Sequence, residues 1–218
     1  MPIVLLPGIR GDGAEMAPLA EALAGRRGGR VHRIDLPTLT ARGTTLHEHA
    51  AALAALLPPG PNLVVAASFG ALVARALPPG HMASLVAIGA LPCPSRASRR
   101  CRLLAPLVRR LPPRAYAALY GVRAEREWRA DDPDPLRYST LALPPQTVLA
   151  ARLDAIGRWG LPLQVTTPTV WIWGASDPHA RWTPDDVTTL GARAVVLPGA
   201  HRPHLSHPSA VAEQVPSG

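Results

Sequence analysis

One stretch of this sequence, residues 63–74, restricts the possible folds more than any other. It begins with the apolar run Leu63–Ala67, rich in valine, which is typical of a short strand buried on both faces of a sheet. Ser68 follows, and an apolar run with helical spacing continues after it. A strand, a serine on a sharp turn and a helix form a nucleophile elbow, whose strained turn requires small neighbours, here Ala66 and Gly70. The simpler alternative is a serine that only caps the helix.

Other short runs of four or five residues, most of them apolar, predict further strands at residues 3–6, 31–35, 85–89, 169–173 and 194–197. Segments with helical spacing lie between or after them, among them 15–24, 46–57 and 208–214. Strands that alternate with helices favour a parallel sheet with helices on both faces. Ligands of such sheets bind beyond the carboxyl ends of the strands, so polar residues at those ends are the first candidates for a site.

The alternation stops between residues 94 and 160. This part of the chain has no strand-like run but three helical segments broken by prolines, at 97–111, 113–120 and 144–158. We therefore predict one α/β core, made of residues 1–93 and 161–218, into which the inserted segment (residues 94–160) is placed.

Arginine gives the chain its net charge of +8, and the inserted segment carries most of it. All 23 basic residues are arginines, and 13 of them lie in the inserted segment against 6 acidic residues. Its first thirty residues contain no acidic residue but eight arginines: Arg96, Arg99, Arg100, Arg102, Arg109, Arg110, Arg114 and Arg123. Such a surface suits an acidic partner, although the arginine bias of a GC-rich genome would give the same composition. A nucleic-acid-binding module is not expected, because the stretch has few aromatic residues and no recognisable motif.

Cysteine content and hydropathy bear on where the protein works. Only Cys93 and Cys101 are present, so a disulfide framework is excluded and a reducing compartment is expected. No apolar run approaches the roughly 18 residues that span a bilayer. The first residues lack the basic and apolar regions of a signal peptide. We therefore expect a cytoplasmic monomer without a membrane partner.

Three candidate catalytic groups follow predicted strands. Ser68 ends the strand at 63–67, Asp177 follows the strand at 169–173, and His201 follows the last strand. Serine, aspartate and histidine in this chain order at strand ends are the pattern of a hydrolase triad. Chemistry of this kind requires no metal or cofactor.

Other side chains suggest other chemistry. Asp35, after the glycine-rich loop at 8–13, resembles the ribose ligand of a dinucleotide site, but the glycines run G-x-x-G-x-G and do not match that fingerprint. His201, His204 and His207 have a spacing of three that a metal site would use, although closed zinc sites usually draw ligands from separated segments. We interpret His49 as a surface residue.

These motifs together resemble those of the α/β-hydrolases over nearly the whole chain. The matching stretches are Leu5-Leu6-Pro7-Gly8, Asp35-Leu36-Pro37, Ala66–Gly70, Trp173-Gly174-Ala175-Ser176-Asp177 and Gly199-Ala200-His201 with Pro208. The resemblance implies an α/β-hydrolase fold with a mostly parallel sheet that lacks the first strands, and with the inserted segment as a helical lid. It also implies Ser68 as nucleophile, Asp177 and His201 as its partners, and the N–H groups of Ile9 and Phe69 as the oxyanion hole. Ala66 departs from the family, which has glycine there.

A narrower resemblance concerns the pimeloyl-acyl-carrier-protein methyl ester esterases of biotin synthesis. It rests on Ala200–Pro208, Leu91-Pro92-Cys93-Pro94 and Pro162-Leu163-Gln164-Val165. It implies a carboxylesterase whose substrate is carried by an acidic acyl carrier protein, with lid arginines, here Arg96, Arg99, Arg100 and Arg102, as the binding surface. Arg10 is either an anchor for an anionic substrate group or a solvated loop residue. A thioesterase acting on an acyl carrier and a non-catalytic hydrolase-fold binding protein with a basic lid remain the alternatives.

Overall fold

A six-stranded, fully parallel sheet forms the centre of the computed structural model. The structure describes residues 1–27, 30–94, 96–120, 143–179 and 182–216, with the backbone alone at 27, 96 and 97. The strands are β1 Ile3–Leu6, β2 Val31–Arg33, β3 Asn62–Ala67, β4 Met82–Ile88, β5 Thr169–Gly174 and β6 Arg193–Leu197. Their order across the sheet is β2-β1-β3-β4-β5-β6, so the predicted parallel sheet is confirmed.

The described helices lie between and after these strands. They are α1 Ala17–Arg27, α2 Leu46–Ala54, α3 Phe69–Arg75, α4 Arg96–Arg110, α5 at 113–120, α6 Gln146–Arg158, α7 Pro184–Thr188, α8 Pro203–Ser206 and α9 Pro208–Gln214. The short helices α7 and α8 were not predicted, because proline-rich segments of four or five residues have too little periodicity to indicate a helix. Among the described residues, no helix is both long and apolar enough to cross a bilayer.

Two apolar clusters cover the two faces of the sheet. Side chains of a strand point alternately to opposite faces, and β1 and β3 follow this rule: Val4 and Val64 belong to one cluster, whereas Leu5 and Val65 belong to the other. Every residue of β3 is buried. The strand that carries Ser68 is therefore held from both sides.

The helices of the inserted segment pack on each other and on the core. Gly157 of α6 allows the close approach of α4, since a Cβ there would lie 2.7 Å from the Cα of Arg102. Arg75 of α3 binds the residues that flank the segment on both sides, since its guanidinium donates to the carbonyl oxygens of Pro92 at 2.8 Å and Pro162 at 2.6 Å. Arg75 thus links the chain just before the inserted segment to the chain just after it.

His49 of α2 is fully buried, so its interpretation as a surface residue is wrong. Its ring stands edge-on to the ring of Phe69, with 5.2 Å between centroids. Among the described residues neither ring nitrogen has a hydrogen-bond partner. Burial, assisted by the charge of Arg152, lowers the pKa of His49 from 6.5 to about 4.

This shift predicts loss of stability in mild acid. Unfolded chains bind a proton at His49 near pH 6.5, whereas the folded protein resists protonation down to about pH 4, so stability is lost across that window. We expect His49 to reduce the free energy of unfolding by about 2 kcal/mol between pH 7 and pH 5. Urea unfolding at pH 7 and at pH 5 measures this change in the free energy of unfolding. His49→Leu should lose correspondingly less stability, and an equal loss in both proteins would contradict the assignment.

Candidate active site

Ser68 sits in a strained turn between β3 and α3. Its φ of 44° is in a region that non-glycine residues rarely adopt, and its N–H donates to the carbonyl of Ile88 at 2.7 Å. Gly70 must lack a side chain, because a Cβ there would collide with the carbonyl oxygen of Pro7. Ala66 is fully buried within β3, so a methyl group fits where the family has glycine. No side-chain capping bond from Ser68 to α3 is present in the described structure, which disfavours the simple helix cap.

Asp177 and His201 form a directed pair. Oδ2 of Asp177 lies 2.9 Å from Nδ1 of His201, and the Asp177 side chain is only 1% exposed. A carboxylate can only accept, so Nδ1 carries the proton and Nε2 presents a lone pair. Burial by itself would raise the pKa of Asp177, but the hydrogen bond and charge of His201, with the N–H of His179, lower it. The carboxylate therefore stays ionised and orients the imidazole.

The loops that carry this pair are joined by their backbones. The N–H of Ala175 donates to the carbonyl of Leu197 at 2.8 Å, directly after β5. Gly174 allows the contact, since a Cβ would collide with the carbonyl oxygens of Gly199 and Ala200. Asp177 and His201 thus lie close together because they follow two adjacent strands, β5 and β6.

Ser68 and His201 line the same cavity, of about 560 Å³, between the carboxyl edge of the sheet and the inserted segment. Gly89, directly after β4, lets His201 come close, because a Cβ there would collide with the His201 carbonyl oxygen and lie 3.3 Å from the imidazole ring. Most of the remaining wall is apolar and includes Leu104, Leu107, Leu119, Leu149, Leu153 and Ile156 from the insertion. The cavity therefore combines one polar end with a long apolar wall.

Two backbone N–H groups are candidates for an oxyanion hole. Phe69 begins α3, where the first N–H groups of a helix have no partner within the helix. Ile9 lies in the loop after β1, and this loop is adjacent to Ser68, since a Cβ on Gly8 would lie 3.7 Å from Cβ of Ser68. The N–H of Gly8 donates to Oε2 of Glu15 at 3.2 Å, and this bond holds the loop in place.

Arg10 is not a solvated loop residue. It is only 9% exposed, it lines the cavity, and its guanidinium carbon lies 5.7 Å from the ring centroid of Tyr120. Burial lowers its pKa, against the opposing effects of Tyr120 and Glu15. Arg202, beside His201 in the chain, lines the same cavity. Two guanidinium groups thus lie at its polar end.

The lid arginines differ from one another. Arg99 and Arg100 are exposed on α4, and Arg100 also reaches the cavity wall. Arg102 instead donates to the carbonyl of Gly157 from Nε at 3.0 Å and Nη2 at 2.7 Å, which ties α4 to α6. The side chain of Arg96, and the whole of Arg123, lie outside the described residues.

The three histidines at spacings of three do not converge on a metal. His201 binds Asp177, and Nδ1 of His207 lies 2.9 Å from the hydroxyl of the preceding serine. His204 is buried with its Nε2 at 3.4 Å from Oε1 of Glu15. Each ring contacts a different side chain, so the three histidines do not form the common set of ligands that a metal site requires.

The two residues Asp35 and Leu36 form hydrogen bonds to the glycine-rich loop. Asp35 accepts the N–H of Gly13 at 2.7 Å, and the N–H of Leu36 donates to the carbonyl of Gly11 at 2.9 Å. The N–H of Ile34 still donates to the carbonyl of Leu5 at 3.1 Å, but the next two residues bond to the glycine-rich loop, and β2 ends at Arg33 instead of continuing to residue 35. The dinucleotide alternative thereby loses its ribose ligand.

Glu15 has a role that the sequence did not indicate. It is 4% exposed and contacts both the Gly8 N–H and His204. Burial by itself would raise its pKa, but the contact with His204, the charge of Arg202 and the Gly8 N–H lower the pKa to about 2. A permanent carboxylate thus connects the loop after β1 with the segment that follows His201.

Arg152 is the other residue that sequence analysis missed. It is 2% exposed on α6 and donates to the carbonyl of Ile9 at 2.7 Å. The sequence pattern could have indicated its burial, because Arg152 occupies the apolar face of its helix, four residues after Val148 and four before Ile156. A charge at a core position of this kind indicates a specific partner.

Comparison with known proteins agrees with this architecture. The crystal structure of a hydrolase from Pseudomonas aeruginosa PA01 superposes with a TM-score of 0.81 at 19% identity, over 98% of this chain and 88% of that one. Rv0554 from Mycobacterium tuberculosis gives 0.75 at 22% identity, over 98% and 87%. The thioesterase domain from the curacin biosynthetic pathway gives 0.62 at 20% identity, over 98% and 90%. These likenesses show a shared fold.

A search of curated protein sequences found no significant match. The family model described as the alpha/beta hydrolase family matches residues 3–214, almost the full chain. With the parallel sheet and the strained serine turn, this match shows that the chain belongs to the alpha/beta hydrolase family.

Proposed function

We propose that this protein is a serine hydrolase that cleaves a carboxylic ester through an acyl-enzyme. The observation that carries the proposal is the 2.9 Å Asp177–His201 pair beside a cavity that Ser68 also lines. Nε2 of His201 takes the Ser68 proton as the serine oxygen attacks the acyl carbon. The N–H groups of Ile9 and Phe69 stabilise the oxyanion. His201 then returns the proton to the departing alcohol, and water releases the acid by the same route.

The cavity favours an ester that has an apolar acyl chain and a polar or charged group near the ester bond. Its long wall of leucine and isoleucine side chains suits a hydrocarbon chain, whereas Arg10 and Arg202 lie at the polar end. A carboxylate or phosphate there would be bound by charge-assisted hydrogen bonds. These features support an acyl substrate of moderate length, such as the pimeloyl-acyl-carrier-protein methyl ester of the narrower resemblance.

A thioesterase is the second candidate, because the same triad and the same apolar cavity would serve an acyl thioester. The fold likeness to the curacin-pathway thioesterase domain points in that direction. Hydrolysis of p-nitrophenyl butyrate, methyl butyrate and a butyryl thioester by the purified protein tests both proposals. We expect turnover of the esters, with kcat/KM for the thioester no higher. Failure to hydrolyse any ester or thioester would favour the non-catalytic binding protein.

An acidic carrier protein as partner predicts a strong salt dependence. Charges on exposed arginines attract an acidic partner through water, and salt screens this attraction over about 8–10 Å. Raising salt from low to moderate concentration should therefore lower kcat/KM for an acyl-carrier substrate by about tenfold or more. A small neutral ester does not need such attraction, so its kcat/KM should change little.

Charge reversal tests the same surface at low salt. Arg99→Glu with Arg110→Glu should reproduce the loss for the carrier substrate, because both arginines are exposed on α4 and neither lines the cavity. The matched control, Arg33→Glu with Arg42→Glu, makes the same charge change on exposed residues outside the inserted segment. Equal effects of both pairs, or of salt on both substrates, would remove the carrier protein from the proposal.

A further inference from the structure

Arg152 is a buried guanidinium whose described hydrogen bonds all go to carbonyl oxygens. Nη1 donates to Ile9 at 2.7 Å, and Nη2 donates to Leu36 and Pro37, each at 3.3 Å. None of the ion pairs seen among the described residues involves Arg152. Burial lowers its pKa to about 10, so it remains charged at neutral pH.

Stability alone does not explain such a residue. A buried charge loses its hydration, and carbonyl dipoles compensate for this less well than a carboxylate would. Even buried ion pairs, whose charges compensate each other, can often be replaced by apolar side chains of similar volume with a neutral or stabilising effect. The contacts of Arg152 therefore call for another explanation, and the shortest of them, the bond to Ile9, lies in the loop after β1.

The three peptide units around Ile9 are each held by a different contact. The Gly8 N–H donates to Glu15, the Gly8 carbonyl accepts from the Gly11 N–H at 3.0 Å, and the Ile9 carbonyl accepts from Arg152. The Ile9 N–H, the candidate oxyanion donor, belongs to the middle unit and points away from the carbonyl of that unit. Its direction is therefore set by the bond that the Gly8 carbonyl makes to Gly11 and by the contacts of the two neighbouring units.

Gly11 makes the approach of Arg152 possible. Its φ is +81°, and a Cβ at this position would collide with the guanidinium group. The loop thus has the one residue that leaves room for the arginine. Arg152 itself comes from α6, so the loop is held by the inserted segment, whereas Glu15 holds it from the core.

We propose that Arg152 is a positioning residue: its hydrogen bond to the Ile9 carbonyl holds the oxyanion loop in its active shape. The inference rests on the proposed serine-hydrolase function. Arg152 touches no reacting atom in this scheme. It acts through the Ile9 peptide, and a displacement of that N–H by about 1 Å is enough to reduce the rate by about a hundredfold.

The test compares Arg152→Met with Arg75→Met. Arg75 is a matched control, because burial also lowers its pKa to about 10 and it too donates to carbonyl oxygens, but to those of residues that flank the inserted segment. We expect Arg152→Met to lower kcat/KM for p-nitrophenyl butyrate by about ten- to a hundredfold, mainly through kcat. The inhibition constant of butylboronic acid, whose serine adduct is tetrahedral, should rise by the same factor. Arg75→Met should change both values by less than about threefold.

A second measurement separates this proposal from the proposed function. Hydrogen exchange at the Gly8 and Gly11 amides, both bonded within the loop, should accelerate by about tenfold or more in Arg152→Met and not in Arg75→Met. This holds whether or not the protein cleaves esters. If Arg152→Met does not fold, Arg152→Gln is measured against the same criteria. Unchanged exchange, unchanged kcat/KM in an active protein, or equal losses in the Arg75 variant would overturn the positioning role.

Discussion

Replacing Ser68 by alanine should lower kcat/KM for p-nitrophenyl butyrate at least about a thousandfold. The hydroxyl oxygen is the only atom removed, and without it no acyl-enzyme forms. What remains is the acceleration that binding and the oxyanion hole give to direct attack by water. Alanine fits the same turn, so thermal unfolding should shift by no more than a few degrees.

The control for this variant is Ser176→Ala. Ser176 lies on the loop that carries Asp177, and its hydroxyl donates to the carbonyl of Gly199 at 2.8 Å. Its loss should leave kcat/KM within a few-fold of the wild-type value. A Ser68→Ala protein that is folded and retains most of its activity would show that another residue is the nucleophile.

Replacing Asp177 by asparagine should lower kcat by about a thousand- to ten-thousandfold, with a much smaller effect on KM. An asparagine NH₂ would donate to Nδ1 of His201, which moves the imidazole proton to Nε2. The histidine would then offer a donor where the mechanism needs a base. Steady-state kinetics with the same ester at neutral pH measures the effect.

Asp186→Asn provides the comparison for that change. Asp186 accepts hydrogen bonds from Thr183 at the start of α7, where it is exposed and belongs to a capping box. The asparagine oxygen can still accept from Thr183, so the capping box is weakened but kept, and kcat should stay intact. Equal effects of the two substitutions on kcat would mean that Asp177 only supports its loop.

Local sequence patterns predicted the parts of the fold that depend on neighbouring residues. β3, Ser68 and α3 follow one another in the chain, and the alternation of small and apolar residues is sufficient to indicate the turn between them. The order of Ser68, Asp177 and His201 at strand ends was equally visible, because parallel strands bring their carboxyl ends to one edge. The final helix, Pro208–Gln214, was predicted with its observed bounds.

The contacts that hold the site together were not predictable in this way. Arg152 and Ile9 are 143 residues apart in the chain, and only the folded structure brings α6 against that loop. The burial of Arg10 depends likewise on Tyr120 of the inserted segment. His49 looked like a surface residue because it neighbours Glu48, although its own side chain faces Phe69.

The most direct test of the central claim is covalent labelling with a fluorophosphonate ester, followed by mass spectrometry of the peptides. Such reagents react with a serine that an adjacent base activates, and their tetrahedral phosphorus oxygen occupies the oxyanion hole. We predict one adduct per chain, on the peptide that contains Ser68, absent from Ser68→Ala and formed far more slowly in Asp177→Asn. An unlabelled wild-type protein, or an adduct on any other residue, would contradict the assignment of Ser68 as the nucleophile of this hydrolase.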